Sequence, residues 1–277
     1  MTKHYQLAMI TGGSSGIGLA IAKQLVSEGT SVCLLARHED ALEAAKAALA
    51  PLKSNEDQII DSLQCDVTDF VCLKTKLMDY VSERGLPDLV VNSAGVTYPG
   101  YFQELDVEIF HWLMNINYYG TLHVLKVLVP GMIERGSGTI LNISSQAGFA
   151  GVFGYSGYSA SKYAVRGFSD VIRSELKPLG IQVSVAFPPD TDTPQLAFEE
   201  PLKPYETNFI AGATKVKSAE DVASDILKAM NRGKYIIIPG FDGKFFYHLV
   251  NLLGNITYFI IDILVNIAQR KKAKEGK

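Results

Sequence analysis

Tyr158 and Lys162 stand four residues apart in the run YSASK, and a helix through that run puts the phenol and the ammonium on one face, a turn apart. A free phenol has a pKa of about 10, so a fixed cation beside it is needed before it can carry protons near neutral pH. A Tyr-Lys pair at this spacing is also common on ordinary solvated helices, where it does no chemistry. Thirteen residues before the tyrosine, however, the apolar run TILNIS reaches Ser144 and Ser145, where a hydroxyl could hold a substrate oxygen. Adjacent residues of a strand end point to opposite sides, so one of the two serines faces such a site and the other does not.

A second set of residues suits a dinucleotide. Thr11-Gly12-Gly13-Ser14-Ser15-Gly16-Ile17-Gly18 follows an apolar strand-like run and opens the helical pattern LAIAKQLVSEG. Gly12 permits a tight turn, Gly16 lets backbone approach a diphosphate at a helix N-terminus, and Gly18 lets helix pack closely on strand; Ser14, Ser15 and Ile17 complete the turn. The next strand-like run ends VCLLAR, with Arg37 where an NAD site usually carries a carboxylate for the ribose 2′-hydroxyl. An arginine can pair with a 2′-phosphate that a carboxylate would repel, which favours NADPH. Asp66 in CDVTD either caps the following helix or touches the adenine. Asn92-Ser93-Ala94-Gly95 is expected to bring Asn92, Ala94 and Gly95 against the cofactor from the end of a fourth strand.

These groups need a scaffold that gathers strand ends at one edge. Strand-like runs at 5–11, 31–36, 58–65, 88–92, 138–144, 181–187 and 234–238 alternate with helical patterns at 16–28, 39–50, 69–84, 107–135, 156–178 and 218–232. That alternation predicts an α/β fold: a single Rossmann-type domain with a doubly wound parallel sheet, spanning 1–243. With 277 residues, 47% hydrophobic, the chain can bury one large core. A net charge of −3 supplies no basic field for a nucleic acid backbone. Cys33, Cys65 and Cys72 lack ligand spacing and read as reduced core residues, and the five histidines form no metal-binding pattern, so no metal is expected.

Taken together, TGGSSGIG, NSAG, the asparagine of MNINYYG, SSQAG and YSASK resemble the short-chain dehydrogenase/reductase family in order and spacing, over residues 5–240. The resemblance implies that Asn117 holds a water in a proton relay and that Tyr158 donates the proton. It implies that Lys162 binds the nicotinamide ribose while lowering the tyrosine pKa. The family spacing selects Ser145 for the substrate carbonyl, with Ser144 as the alternative. It also implies a homodimer or homotetramer. PPDTDTP at 188–194, where most members carry Pro-Gly, is similar to the 3-ketodihydrosphingosine reductase branch, which reduces a long-chain 3-keto amine with NADPH at a membrane face. Asp190 or Asp192 could then meet a substrate ammonium, or simply cap a turn. Other lipophilic carbonyls (a steroid, a retinoid or an acyl ketone) and a non-catalytic cofactor-binding regulator are the alternatives.

Two segments lie outside the motif pattern. The proline-rich stretch 188–217 reads as a long loop with one short helix, a lid over the substrate. The extension 244–277 is apolar from 245 to 268 and ends in Arg270, Lys271, Lys272 and Lys274. As one helix it would align His248, Asn251, Asn255, Asp262 and Asn266 in a stripe, which predicts a helix lying in a membrane interface, its basic end on anionic head groups. The alternative is a helix, or a helix pair, packed on protein. MTKHYQLAMITGG leads straight to the glycine turn without an apolar leader, so the expected location is cytoplasmic, peripheral at the cytoplasmic face of a membrane.

Overall fold

The computed structural model describes residues 4–211 and 215–275. Its strands are β1 (Leu7–Thr11), β2 (Ser31–Ala36), β3 (Ile60–Gln64), β4 (Leu89–Asn92), β5 (Gly138–Ile143), β6 (Ile181–Ala186), β7 (Thr191–Asp192), β8 (Lys217–Ser218) and β9 (Ile236–Ile237). The helices are α1 (Gly16–Ser27), α2 (Glu39–Leu49), α3 (Phe70–Arg84), α4 (Val107–Met114), α5 (Gly120–Arg135), α6 (Ser156–Leu176), α7 (Pro194–Glu199), α8 (Tyr205–Ala211), α9 (Ala219–Asn231), α10 (Phe241–Leu253) and α11 (Ile256–Glu275). Seven strands form one parallel sheet in the order β3-β2-β1-β4-β5-β6-β9, and β7 pairs with β8 apart from it. This is the Rossmann-type doubly wound sheet that the alternation of runs predicts.

Why the strands read as unbroken apolar runs is clear from what covers them. Along β1, Ile10 packs with Leu34 and Val91 under Ile21, Leu25, Val222 and Ile226 of α1 and α9. Its neighbour Met9 points the other way and joins Leu35 and Val90 under Leu73, Leu77, Val124 and Leu128 of α3 and α5. A sheet buried on both faces has no polar side to alternate with. The order reverses between β1 and β4, where successive crossovers leave toward opposite faces and open a crevice at the carboxyl ends of the strands.

Three sequence expectations are corrected. The helical pattern over 107–135 is interrupted by a π-helical turn at Asn115–Tyr119 between α4 and α5. Among its described residues the stretch 188–217 holds the helices α7 and α8, the short strand β7 and the start of β8, where one short helix is expected. Prolines and capping residues, not apolar periodicity, set those helices: Thr193 caps α7 by accepting from the Leu196 amide at 3.3 Å. Lastly, 245–268 is not one helix. Gly254, at φ +51°, breaks it into α10 and α11, which meet at a bend of 115°. No single helix among the described residues is long and apolar enough to cross a membrane.

The basic end of α11 is held by protein. Lys272 donates to the Tyr101 hydroxyl at 2.7 Å, lies 3.8 Å from the buried carboxylate of Glu206, and that carboxylate accepts from Tyr101 at 2.7 Å. Lys271 stands over the Phe209 ring at 5.3 Å. Two of the cations expected on head groups therefore anchor α11 to α8 and the domain, while Arg270 and Lys274 remain exposed.

Candidate active site

At the crevice, Gly12 adopts φ +63°, and a side chain there would run into the Ala94 backbone at 2.8 Å. A Cβ on Gly18 would lie 2.4 Å from the Gly12 carbonyl, so α1 sits directly on the turn only because both positions lack one. Thr11 fastens this turn to the end of β4, its hydroxyl accepting from the Ser93 and Ala94 amides at 3.1 Å each. α1 begins without a side-chain cap from Ser15. Its first amides therefore retain hydrogen-bonding capacity at a wall of the cleft, where an anion is favoured.

The cleft has a volume of about 530 Å³ and runs from this turn past Ser145, Tyr158 and Lys162 to Phe246 and Leu264 of the C-terminal helices. Both Tyr158 and Lys162 lie in the first two turns of α6 and are buried. The Lys162 ammonium stands 5.6 Å from the centre of the Tyr158 ring, donates to the Ile143 carbonyl at 3.1 Å, and is 3.2 Å from where a Cβ on Gly95 would be. Burial, with no carboxylate partner, brings its pKa down to about 8.

The Tyr158 phenol is held above its ordinary pKa, first by burial and then by the carboxylates of Glu199 and Asp190, while the Ser145 and Gln195 side chains oppose the rise. The expected downward pull of Lys162 is not among these leading influences. Instead its ammonium is engaged by the end of β5.

The two adjacent serines have different surroundings. Ser144 is buried and donates to the Lys162 carbonyl at 2.9 Å, which ties β5 to α6. Ser145 accepts from the Ala147 amide at 3.2 Å and lines the cleft with Tyr158. Asn117 sits in the π-helical turn; its side chain accepts from the Val96 amide at 2.8 Å and donates to the Val96 carbonyl at 3.0 Å and the Ser161 hydroxyl at 2.8 Å. It thus pins the loop that follows β4 to α6, one residue from Lys162.

Several expected cofactor contacts are not at the cleft wall. Asn92 is buried inside the sheet and donates to Asn142 at 2.9 Å; Ser93 and Gly95 line the cleft in its place and in that of Ala94. Period-two alternation at the strand end explains the exchange. Asp66 accepts from the amide and hydroxyl of Thr68 at 2.8 Å each, in a turn that leads to α3. Arg37 is exposed just beyond β2, its carbonyl accepting from Gln64 at 3.1 Å. Asp192 is exposed, whereas Asp190 faces the cleft. Missed by the sequence are Thr193, which covers Gly16, and the buried Glu199. The spacing PxxxxE in a proline-rich loop offers no periodic signal for the latter.

Cys33 and Cys65 are buried in the core, and Cys65 has its Sγ 3.7 Å from that of Cys72. Among the described residues no group of His, Cys, Asp and Glu has the arrangement of a metal site.

A glycine turn at the switch point of a parallel sheet, facing a serine, a tyrosine and a lysine, defines an oxidoreductase class, and the chain belongs to the short-chain dehydrogenase/reductase family. Residues 6–201 match the family described as short chain dehydrogenase. Among relatives, the chain is 39% identical to a Bos taurus protein named 3-ketodihydrosphingosine reductase, over 90% of this chain and 75% of that one. It is 38% identical to a protein of that name from Dictyostelium discoideum, over 97% of this chain and 88% of that one. Its fold is similar to that of a short-chain dehydrogenase from Sphingobium yanoikuyae in complex with NADPH. That match has a TM-score of 0.75 and 26% identity, over 88% of this chain and 92% of the other.

Proposed function

We propose that this enzyme reduces 3-ketosphinganine to sphinganine with NADPH, in sphingolipid synthesis. The carrying observation is a Ser145-Tyr158-Lys162 site at the floor of a cleft whose outer walls include Leu196, Phe246 and Leu264, in a chain 39% identical to named reductases of that ketone. A long acyl tail suits such walls better than water does.

The residues fit the cofactor. Gly12, Ser14, Ser15, Gly16, Ile17 and Gly18 would hold the diphosphate, since turn and helix terminus present backbone amides with no side chain in the way. Arg37 would pair with the 2′-phosphate, and Gly95 with Lys162 would receive the nicotinamide ribose. NADPH, when bound, supplies a hydride to the carbonyl carbon. Ser145 donates a hydrogen bond to the carbonyl oxygen, and Tyr158 gives that oxygen its proton. Because burial keeps the phenol protonated well above neutrality, the donor is in its working form throughout the physiological range. Lys162 steadies the negative charge left on the phenolate.

The test is NADPH oxidation in the presence of 3-ketosphinganine and of a steroid, a retinoid and a short acyl ketone. Turnover of the keto amine supports the reading; turnover only of the others moves the substrate to another lipophilic carbonyl.

Two further outcomes follow. Lys162 is charged below about pH 8 and loses its proton above it. The kcat for reduction is therefore expected to fall on the alkaline side through a limb near that value, and a flat profile up to about pH 10, where an ordinary lysine titrates, would contradict the role. Arg37→Asp is expected to erase or reverse a preference for NADPH, shifting the ratio of the two cofactor Kd values by about tenfold or more, with kcat little changed. Equal use of both cofactors by the unaltered protein would contradict this assignment.

The exposed apolar surface of α10 and α11 supports seating on a membrane, which we assign to the cytoplasmic face. Phe241, Leu252, Tyr258 and Phe259 are 80%, 84%, 65% and 66% exposed, and a surface of this kind is unusual on a protein that meets only water. The same hairpin supplies Phe246 and Leu264 to the cleft, so a lipid could pass from bilayer to site along one apolar path.

A further inference from the structure

Glu199 ends α7 and is only 6% exposed, yet it faces the cleft that contains the reacting phenol. A carboxylate is rarely buried without a firm cationic partner, because removing it from water costs several kcal/mol. Its cation, Lys203, stands 3.9 Å away and is held more closely by Glu200, at 2.6 Å. Burial raises the pKa of the Glu199 carboxyl, and the Thr97 and Tyr155 hydroxyls and Lys203 do not fully offset it. A second carboxylate, Asp190, acts on the same spot: after burial, both carboxylates raise the Tyr155 and Tyr158 phenols, and Asp190 raises Glu199 as well. Three lysines also line the cleft, but the Lys162 ammonium is engaged by the Ile143 carbonyl, Lys215 is exposed and the Lys217 ammonium packs against Gly240. The side of the cleft formed by Glu199 and Asp190, unlike that of Lys162, is thus negative, and these carboxylates oppose ionisation of the phenol that must give up a proton.

That arrangement suits a substrate whose positive charge sits next to its carbonyl. We propose that Glu199, with Asp190 beside it, recognises the ammonium group of a 2-amino ketone. The inference rests on the substrate class argued above and names the residue that selects it. The amine is carried by the carbon adjoining the carbonyl, so a carbonyl oxygen held by Ser145 and Tyr158 places the ammonium within a few ångströms of them. The bound ammonium gives Glu199 the close cation it lacks. It also cancels the negative field at Tyr158, so the right substrate eases the proton transfer it needs. A ketone without the amine leaves a buried carboxylate without that cation, and rejection through an unpaired buried group is stronger than a hydrophobic pocket can achieve.

The experiment compares two long-chain 3-ketones of equal length, one with the 2-amino group and one with hydrogen in its place, at saturating NADPH. The unaltered enzyme is expected to favour the amino ketone in kcat/KM by about tenfold or more. Glu199→Gln, of the same shape, is expected to lower kcat/KM for the amino ketone by about tenfold and to raise it for the plain ketone, because the unpaired buried charge that rejects that ketone is gone. Glu199→Asp should retain part of the preference, and NADPH affinity should be unchanged in both variants, which reports an intact fold. An equal loss on both ketones would assign Glu199 a structural role and overturn the proposal. Equal use of both ketones by the unaltered enzyme would overturn it as well, while leaving the reductase reading in place. If neither ketone is reduced, the substrate reading itself fails.

Discussion

Tyr158→Phe is expected to lower kcat for ketone reduction by a factor on the order of 10² to 10⁴, while NADPH binds with nearly unchanged affinity. The ring stays, and with it the packing against Tyr155 at 5.7 Å between centroids; only the proton source goes. Ser145 lines the same cleft, but an aliphatic alcohol is a far weaker acid than a phenol. Lys162 is the other candidate donor, since burial brings its ammonium to about 8. Its ammonium, however, is engaged by the Ile143 carbonyl at 3.1 Å. A Tyr158→Phe variant that kept more than about a tenth of its activity would show that one of these two groups can deliver the proton, and the role given to Tyr158 would be withdrawn. Cofactor titration by fluorescence separates that result from simple misfolding.

The same side chains show which parts of a site a sequence can disclose. The Tyr158–Lys162 face follows from helical geometry alone, and the glycine turn follows from steric needs set by its immediate neighbours. Both are legible because every atom involved lies within a few residues. The sheet is legible too, since burial on two faces demands unbroken apolar runs. At strand ends, legibility declines. Asn92 and Ser93 differ by one position, and the difference sends the first into the sheet and the second into the cleft. Ser144 and Ser145 present the same difficulty, which the family spacing addresses and local pattern does not. Asn117 depends on a π-helical turn that carries no apolar signature, and its partner Val96 is distant in sequence. Glu199 is invisible for a further reason: a lone glutamate in a proline-rich stretch reads as solvated, and only the folding of 188–211 back over the cleft buries it. The break at Gly254 is hidden because composition reports how apolar a segment is and not where its axis turns.

That break changes what should be measured at the C-terminus. Deleting 245–277 as a whole would remove Phe246 and Leu264 from the cleft and Lys272 from its contacts with Tyr101 and Glu206, so lost activity would not isolate membrane binding. Leu252 and Phe259 offer a cleaner route. They are 84% and 66% exposed on the two arms of the bend, and neither lines the cleft. A leucine or phenylalanine moved fully from water into an apolar phase gains about 1.5 to 3 kcal/mol, and about 1.4 kcal/mol is tenfold in an equilibrium constant. Even partial insertion of both gives on the order of 100-fold in vesicle partitioning. The double variant Leu252→Asp, Phe259→Asp is therefore expected to lose about that factor in vesicle affinity, since an aspartate in hydrocarbon is worse than a missing side chain. Its KM for a long-chain ketone presented in vesicles should rise, while turnover of a short soluble ketone stays within about twofold, because nothing at Tyr158 has changed. The part of the interaction carried by Leu252 and Phe259 should depend little on salt, whereas any part carried by the exposed Arg270 and Lys274 should be screened by it. If the unaltered protein does not sediment with vesicles at all, the exposed face of α10 and α11 packs on protein instead, and a second copy of the chain becomes the first partner to look for by light scattering.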